Sequence, residues 1–315
     1  MNRPEPVPTS SAVPTLELAR TPGHLIRRAQ RVHSVFWARH VGPEPTGPQF
    51  AVLSSIARQP GLDQTTVGML ASLDKSSTVD IVRRLVRHGW ITAGPDPDDR
   101  RRKVLHLSRP ARAALHVLSE QAAKVQDTLL APLARERRPA FVRDLATLAY
   151  EGHPPTVPQR SDELGLELST TPGHLIRRTQ QAYTLRWSKR FQGALTGPQY
   201  AVLCALAEHE PSDQATLGDT ASLDKSSIAE VVDRLASRGL VMVLADAADR
   251  RRKALRLSAA ARQALPEMTV AAGEVQAELM DLLPASARRR FLDALAAVAY
   301  QSVSTTAVVD SLEDV

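Results

Sequence analysis

A single cysteine in 315 residues, Cys204, excludes an intrachain disulfide framework and any Cys-pair zinc motif. Its setting, "AVLCALA", is apolar and has no neighbouring cation to favour the thiolate, so it reads as a core residue, and a redox-sensing role has little behind it. No apolar run approaches the roughly 18 residues of a membrane span, and the opening "MNRPEPVPTSSAVP" lacks the apolar centre of a signal peptide. A cytoplasmic protein is expected. There is no Gly-rich phosphate loop, no HExxH and no nucleophile elbow, and the nine histidines do not fall at metal-ligand spacing. These absences argue against an enzyme, a cofactor or a metal site.

What is present is positive charge and repetition. A sequence pI near 9.8 and a formal charge of +6 call for an acidic partner, either nucleic acid or an anionic membrane. The membrane reading is the weaker, because the cations cluster on short segments instead of covering one long amphipathic helix. The heptapeptide ASLDKSS stands at 71–77 and again at 221–227. Around it, residues 21–150 align without a gap on 171–300, with 57 identities in 130 pairs. That period is far longer than a solenoid repeat, so each copy is a domain. The expected organisation is a disordered tail over 1–16, one domain over 17–150, a proline-bearing linker over 151–166, a second domain over 167–300 and an acidic tail over 301–315.

Helical periodicity dominates each copy, and strand signals are confined to one stretch. The first helix is expected from about Pro22 to Val41 with Thr21 as N-cap, and the second from Thr46 with "QFAVLSSIA" as its buried face. A short third helix follows Asp63. ASLDKSS then joins it to a fourth helix that Asp74 caps and Gly89 ends. Apolar residues at 79, 81, 82, 85 and 86 are expected to bury one stripe. Lys75, Ser76, Ser77, Asp80, Arg83, Arg84 and Arg87 are left on the other face. Two helices around a tight turn, the second basic and hydroxyl-rich, read as helix-turn-helix. "WITAGPDPDDRRRKVLHLS" reads as strand, turn, strand, with Arg100, Arg101, Arg102 and Lys103 leaving the loop. That is a winged helix, whose cations can follow phosphates or enter a minor groove. Ser108 caps a long helix to about Leu130, and another runs from about Arg135 to Tyr150.

Both copies resemble the MarR-type bacterial transcriptional regulators nearly end to end. The most specific part is "DPDDRRRKVLHLS", similar to the family's D-x-R wing followed by an apolar strand and a Leu-Ser helix start; Asp99 and Arg101, and Asp249 and Arg251, fall on it. The resemblance implies a mainly α fold with a short β-hairpin wing in each copy and first and last helices that pair as dimerisation elements. It implies a protein that reads pseudopalindromic double-stranded DNA, commonly a repressor released by small phenolic or aromatic acids. This chain departs from the usual pattern by carrying two copies. An intrachain pseudo-dimer is therefore expected, with a homodimer of such chains as the alternative. A tether of about 16 residues spans up to roughly 50 Å, which gives the intrachain pair a high effective concentration.

The expected DNA-binding residues are Lys75, Ser76, Ser77, Arg83, Arg84, Arg87 and the wing Arg100, Arg101 and Arg102. Their second-copy counterparts are Lys225, Ser226, Ser227, Arg234, Arg238, Arg250, Arg251 and Arg252. Serines near a recognition-helix N-terminus can meet base edges or phosphates. The copies differ in charge. Residues 1–150 hold 22 Lys/Arg against 13 Asp/Glu, a balance of +9, and 167–300 hold 17 against 15, a balance of +2. Arg83 and Arg87 become Asp233 and Ser237, so an imperfect palindrome is the expected target. The expected effector residues are the recurring His24, Arg28 and Trp37 with His174, Arg178 and Trp187, where a cation of the first helix can pair with a ligand carboxylate. The competing reading is that these residues only pack and bridge the pseudo-dimer.

Overall fold

A computed structural model describes residues 13–96, 103–153, 164–245 and 253–302. They divide into two compact units: one holds residues 1–25 and 183–279, the other 26–182 and 280–315. Each unit therefore contains segments from both sequence copies. Helix α1 (Pro22–His40) and helix α7 (Pro172–Phe191) each contribute residues to both.

In the unit holding the first winged helix, α2 (Gly47–Arg58) begins with a full capping box: the Thr46 hydroxyl accepts from Gln49 N, and the Gln49 side chain accepts from Thr46 N. Strand β1 (Leu62–Asp63) leads into α3 (Gln64–Leu70), capped by Asp63. The turn that follows puts Ser72 at φ +53°, a left-handed conformation disfavoured for a residue with a Cβ. Asp74 then caps α4 (Lys75–Arg87), and Gly89 at φ +70° ends it. Strands β2 (Ile91–Pro95) and β3 (Lys103–Leu107) pair antiparallel from Ile91↔Leu107 to Pro95↔Lys103. β1 lies on the other edge of β3, so the sheet order is β1-β3-β2. Ser108 caps α5 (Arg109–Leu129), and α6 (Arg138–Ala149) follows. Helix α12 (Ala285–Ala299), from the second copy, packs on α6 through stacked Phe141 and Phe291, with centroids 5.5 Å apart, and an Arg290–Asp144 ion pair at 3.0 Å.

The other unit repeats the pattern with α8 (Gly197–Glu208), α9 (Gln214–Ala221), α10 (Lys225–Ser237), β4 (Val241–Ala245), β5 (Lys253–Leu257) and α11 (Ala259–Met280), whose last residue alone belongs to the first winged helix's unit. Its hairpin runs from Val241↔Leu257 to Ala245↔Lys253, and a bridge from Ser212 to Leu255 stands where the first copy has β1.

Several expectations are corrected. The buried stripe of α4 is Thr78, Val82 and Leu85. Val79 and Ile81 are half-buried and Val86 is 42% exposed, because a 3.6-residue period carries position 86 off the line through 78, 82 and 85. Thr21 does stand directly before α1, its carbonyl accepting from Leu25 N at 3.0 Å, while its Oγ1 donates back to Glu17 O at 2.7 Å. A 3₁₀ turn at Arg135–Arg137 precedes α6, which starts at Arg138. The strand β1 lies outside the stretch where strand signals were concentrated; with two residues it is too short to show an alternation.

Candidate DNA interface and effector cavity

The heptapeptide builds the start of α4 by itself. The Asp74 carboxylate accepts from Ser77 N at 2.8 Å, Ser76 Oγ at 2.6 Å and Ser77 Oγ at 2.7 Å. Those hydroxyl and amide donors hold its carboxyl well below the usual carboxylate range. The same set recurs at Asp224, with Ser226 Oγ at 2.7 Å, Ser227 N at 2.8 Å and Ser227 Oγ at 3.0 Å. With their protons engaged by the aspartate, the serine oxygens face outward chiefly as acceptors.

Lys75, Ser76, Arg83, Arg84 and Arg87 are exposed and Ser77 is half-buried. Opposite the buried stripe of α4, positions 76, 80, 83 and 87 follow one another at helical spacing. They carry Ser, Asp, Arg and Arg, with Arg83 Nη1 3.5 Å from Asp80. On α10 the same positions are Ser226, Glu230, Asp233 and Ser237. Lys225, Ser226, Arg234 and Arg238 are exposed and Ser227 is half-buried, while Arg234 pairs with Glu230 at 3.5 Å. The outward stripe is thus net positive in the first copy and net negative in the second. Arg100, Arg101, Arg102, Arg250, Arg251 and Arg252, and the D-x-R aspartates, lie outside the described residues.

The first winged helix's unit also encloses a cavity of about 280 Å³. Its walls come from α1 and α2 (Gln30, His33, Trp37, Phe50), from Gln126 on α5, and from the chain entering α7 (Leu166, Leu168, Gly173, His174, Arg177). Trp37 is fixed by Nε1 donating to Pro45 O at 2.9 Å and by tilted contacts with His33 and Phe50. Leu166 is anchored by its N–H to Ser54 Oγ at 3.4 Å, and Glu167 by an ion pair with Arg58 at 3.1 Å. The end of the stretch read as a linker thereby becomes cavity wall. Burial, with the Arg177 charge nearby, pushes His33 down to about 4, so it is neutral at physiological pH, and its Nε2 and the Oε1 of Gln30 are buried with no hydrogen-bond partner among the described residues.

Two wall residues reach from the cavity to ASLDKSS. Arg177 donates to Ala71 O at 2.5 Å and Ser72 O at 3.0 Å. It also donates to His174 Nδ1 at 3.1 Å; guanidinium can only donate, so the His174 proton sits on Nε2 and points to Ser72 Oγ at 3.1 Å. Arg178 Nη1 and Gln181 Nε2 complete the grip on Ser72, at 2.9 and 2.8 Å. Burial lowers His174 well below its ordinary value and Arg177 to about 10.

Of the six expected effector residues, the cavity brings together Trp37 and His174. Arg178 donates to Ala149 O at 2.9 Å and lies 4.2 Å over Tyr150, while Arg28 donates to Ala299 O at 3.0 Å and lies 4.2 Å over Tyr300. Both guanidiniums therefore close helix C-termini, where a cation is favoured. His24 is buried in the other unit, as is Trp187, which donates to Leu195 O at 2.7 Å. Arg177, His33, Gln30 and Gln126 were not singled out as effector residues. Cys204 is buried, and burial pushes its thiol up to about 11, where it stays protonated at neutral pH.

The MarR family model matches residues 46–103 and 195–253. The chain is 31% identical over 128 residues to the HTH-type transcriptional repressor NicR of Pseudomonas putida, covering 40% of this chain and 81% of that protein. It is 34% identical over 119 residues to the transcriptional regulator HosA of Escherichia coli O127:H6, covering 38% of this chain and 87% of that one. A crystal structure of the PcaV transcriptional regulator from Streptomyces coelicolor with its natural ligand is 39% identical, covers 43% of this chain and 96% of that one, and has a TM-score of 0.41.

Proposed function

The chain belongs to the MarR family of transcriptional regulators, and we propose that it is a sequence-specific double-stranded DNA-binding repressor, released from its operator by a small aromatic carboxylate. The observation that carries this reading is the grip of Arg177 and His174, both cavity walls, on the turn that launches α4. A carboxylate entering the cavity competes with the Ala71 and Ser72 carbonyls for the Arg177 guanidinium. Loss of that grip frees a turn already in a disfavoured conformation and re-aims α4. The cavity suits one ring, since its apolar walls include Trp37 and Phe50 and its volume is near the lower end for ligand sites.

In this reading α4 enters the major groove with Ser76, Ser77, Arg83, Arg84 and Arg87, and Lys75 and the wing arginines 100–102 follow phosphate. The second copy contributes Lys225, Ser226, Ser227, Arg234, Arg238 and the wing arginines 250–252, more weakly because its stripe is acidic. The target is an imperfect palindrome. One chain acts as its own dimer in the cytoplasm, consistent with second-copy α12 and the start of α7 packing on first-copy elements. No helix among the described residues is long and apolar enough to cross a membrane.

The test is genome-wide recovery of bound DNA, followed by footprinting and light scattering of the complex. An asymmetric footprint occupied by one chain is expected. Recovery of DNA without a shared sequence would overturn the specific-binding reading, and two chains per site would overturn the pseudo-dimer.

A further inference from the structure

The two copies differ at one position that faces the start of the other copy's first helix. His33 aligns with Tyr183, and each ring abuts a glycine: a Cβ on Gly173 would fall 2.1 Å from His33 Nε2, and a Cβ on Gly23 would fall 2.1 Å from Tyr183 Cζ. The surroundings are otherwise matched. Gln126 Oε1 accepts from Gly173 N at 2.8 Å, and Gln276 Oε1 accepts from Gly23 N at 2.9 Å. The difference is what the other end of each glutamine does. Gln276 Nε2 donates to Tyr183 Oη at 2.7 Å, whereas Gln126 Nε2 turns back to Ala122 O of its own helix at 3.2 Å.

Tyr183 thus supplies from within the chain a phenol that is hydrogen-bonded to the glutamine and packed against Trp187. On the His33 side no phenol is built in. There the structure has an apolar-walled cavity and a buried polar atom, His33 Nε2, with no hydrogen-bond partner among the described residues. Such atoms are rare in folded proteins and cost free energy while unpaired. An effector filling the cavity can pair that nitrogen, whereas in the second copy the corresponding space beside Gly23 is already taken by the Tyr183 phenol.

We propose that the chain binds one effector molecule, in the His33 cavity alone, because the phenol of Tyr183 takes the corresponding place in the second copy. This rests on the effector reading above and adds its stoichiometry.

The experiment is calorimetric titration of the full chain with 2-, 3- and 4-hydroxybenzoate and with benzoate. At least one hydroxybenzoate is expected to bind with one site per chain. His33→Tyr, checked for folding by its helical circular dichroism and melting, is expected to lose the site. Tyr183→His is expected to raise the stoichiometry toward two. Two sites in the parent chain would overturn this proposal and leave the effector reading standing. No binding of any of the four would overturn both readings.

Discussion

Replacing Arg177 by methionine keeps an unbranched apolar stem and removes the guanidinium that holds Ala71 O and Ser72 O. Hydrogen bonds to a charged donor contribute about 1.5–3 kcal/mol each, so the pair is worth about 3–6 kcal/mol. Against this stands burial of the cation, which depresses Arg177 from 12.5 to about 10, a cost of about 3 kcal/mol. The difference is about 0–3 kcal/mol, centred on about 1.5 kcal/mol. Two amides report on it directly: Ser72 N, bonded to Met69 O, and Leu73 N, bonded to Gly68 O. In native-state hydrogen exchange, their protection is expected to fall about tenfold while amides in the middle of α6 are unchanged. Unchanged exchange at Ser72 and Leu73 in a folded variant would refute the claim that Arg177 holds the turn.

Stability should depend on pH through His33. Its folded value near 4 lies below the ordinary 6.5, so the unfolded chain binds more protons between those values, and stability is full above about 6.5 and declines as pH falls toward 4. The loss at pH 4 is about 3 kcal/mol from this group, with His174 acting in the same direction. Melting curves from pH 7.5 to 4.5 should show the decline, and His33→Gln should flatten it; an equal slope in both proteins would exclude His33 as the cause. On a footprinted duplex, Arg84→Ala should weaken binding more than Arg234→Ala, because Arg234 is already paired with Glu230 on an acidic stripe. Equal losses in a fluorescence anisotropy titration would show that the stripe charges do not matter to recognition.

The local structure was legible wherever the cause was local. Asp74 and Asp63 as caps, a helix start at Thr46, Ser108 before a long helix and Gly89 after α4 all act within a few residues. The duplication and the hairpin could be read for the same reason. The cavity could not, because Leu166, Gly173 and Arg177 reach Ser54, His33 and Ser72 from more than 100 positions away. Periodicity placed Arg28 on the face of His24, yet which of the adjacent arginines meets a carbonyl and which lines a cavity depends on what lies opposite. Arg27 and Arg177 recur as faithfully as Arg28 and Arg178, so recurrence could not separate them. The exchange of His33 for Tyr183 was visible in the alignment, but nothing in the chain order says that both rings face a glycine of the other copy.

The coupling of cavity to reading helix is tested most directly by the dissociation constant of the chain for its recovered duplex, measured by anisotropy with and without saturating hydroxybenzoate. With the hydroxybenzoate that binds, the dissociation constant is expected to rise about tenfold or more, a coupling of about 1.4 kcal/mol, and to rise much less in Arg177→Met. An unchanged dissociation constant under proven saturation of the cavity would contradict the account.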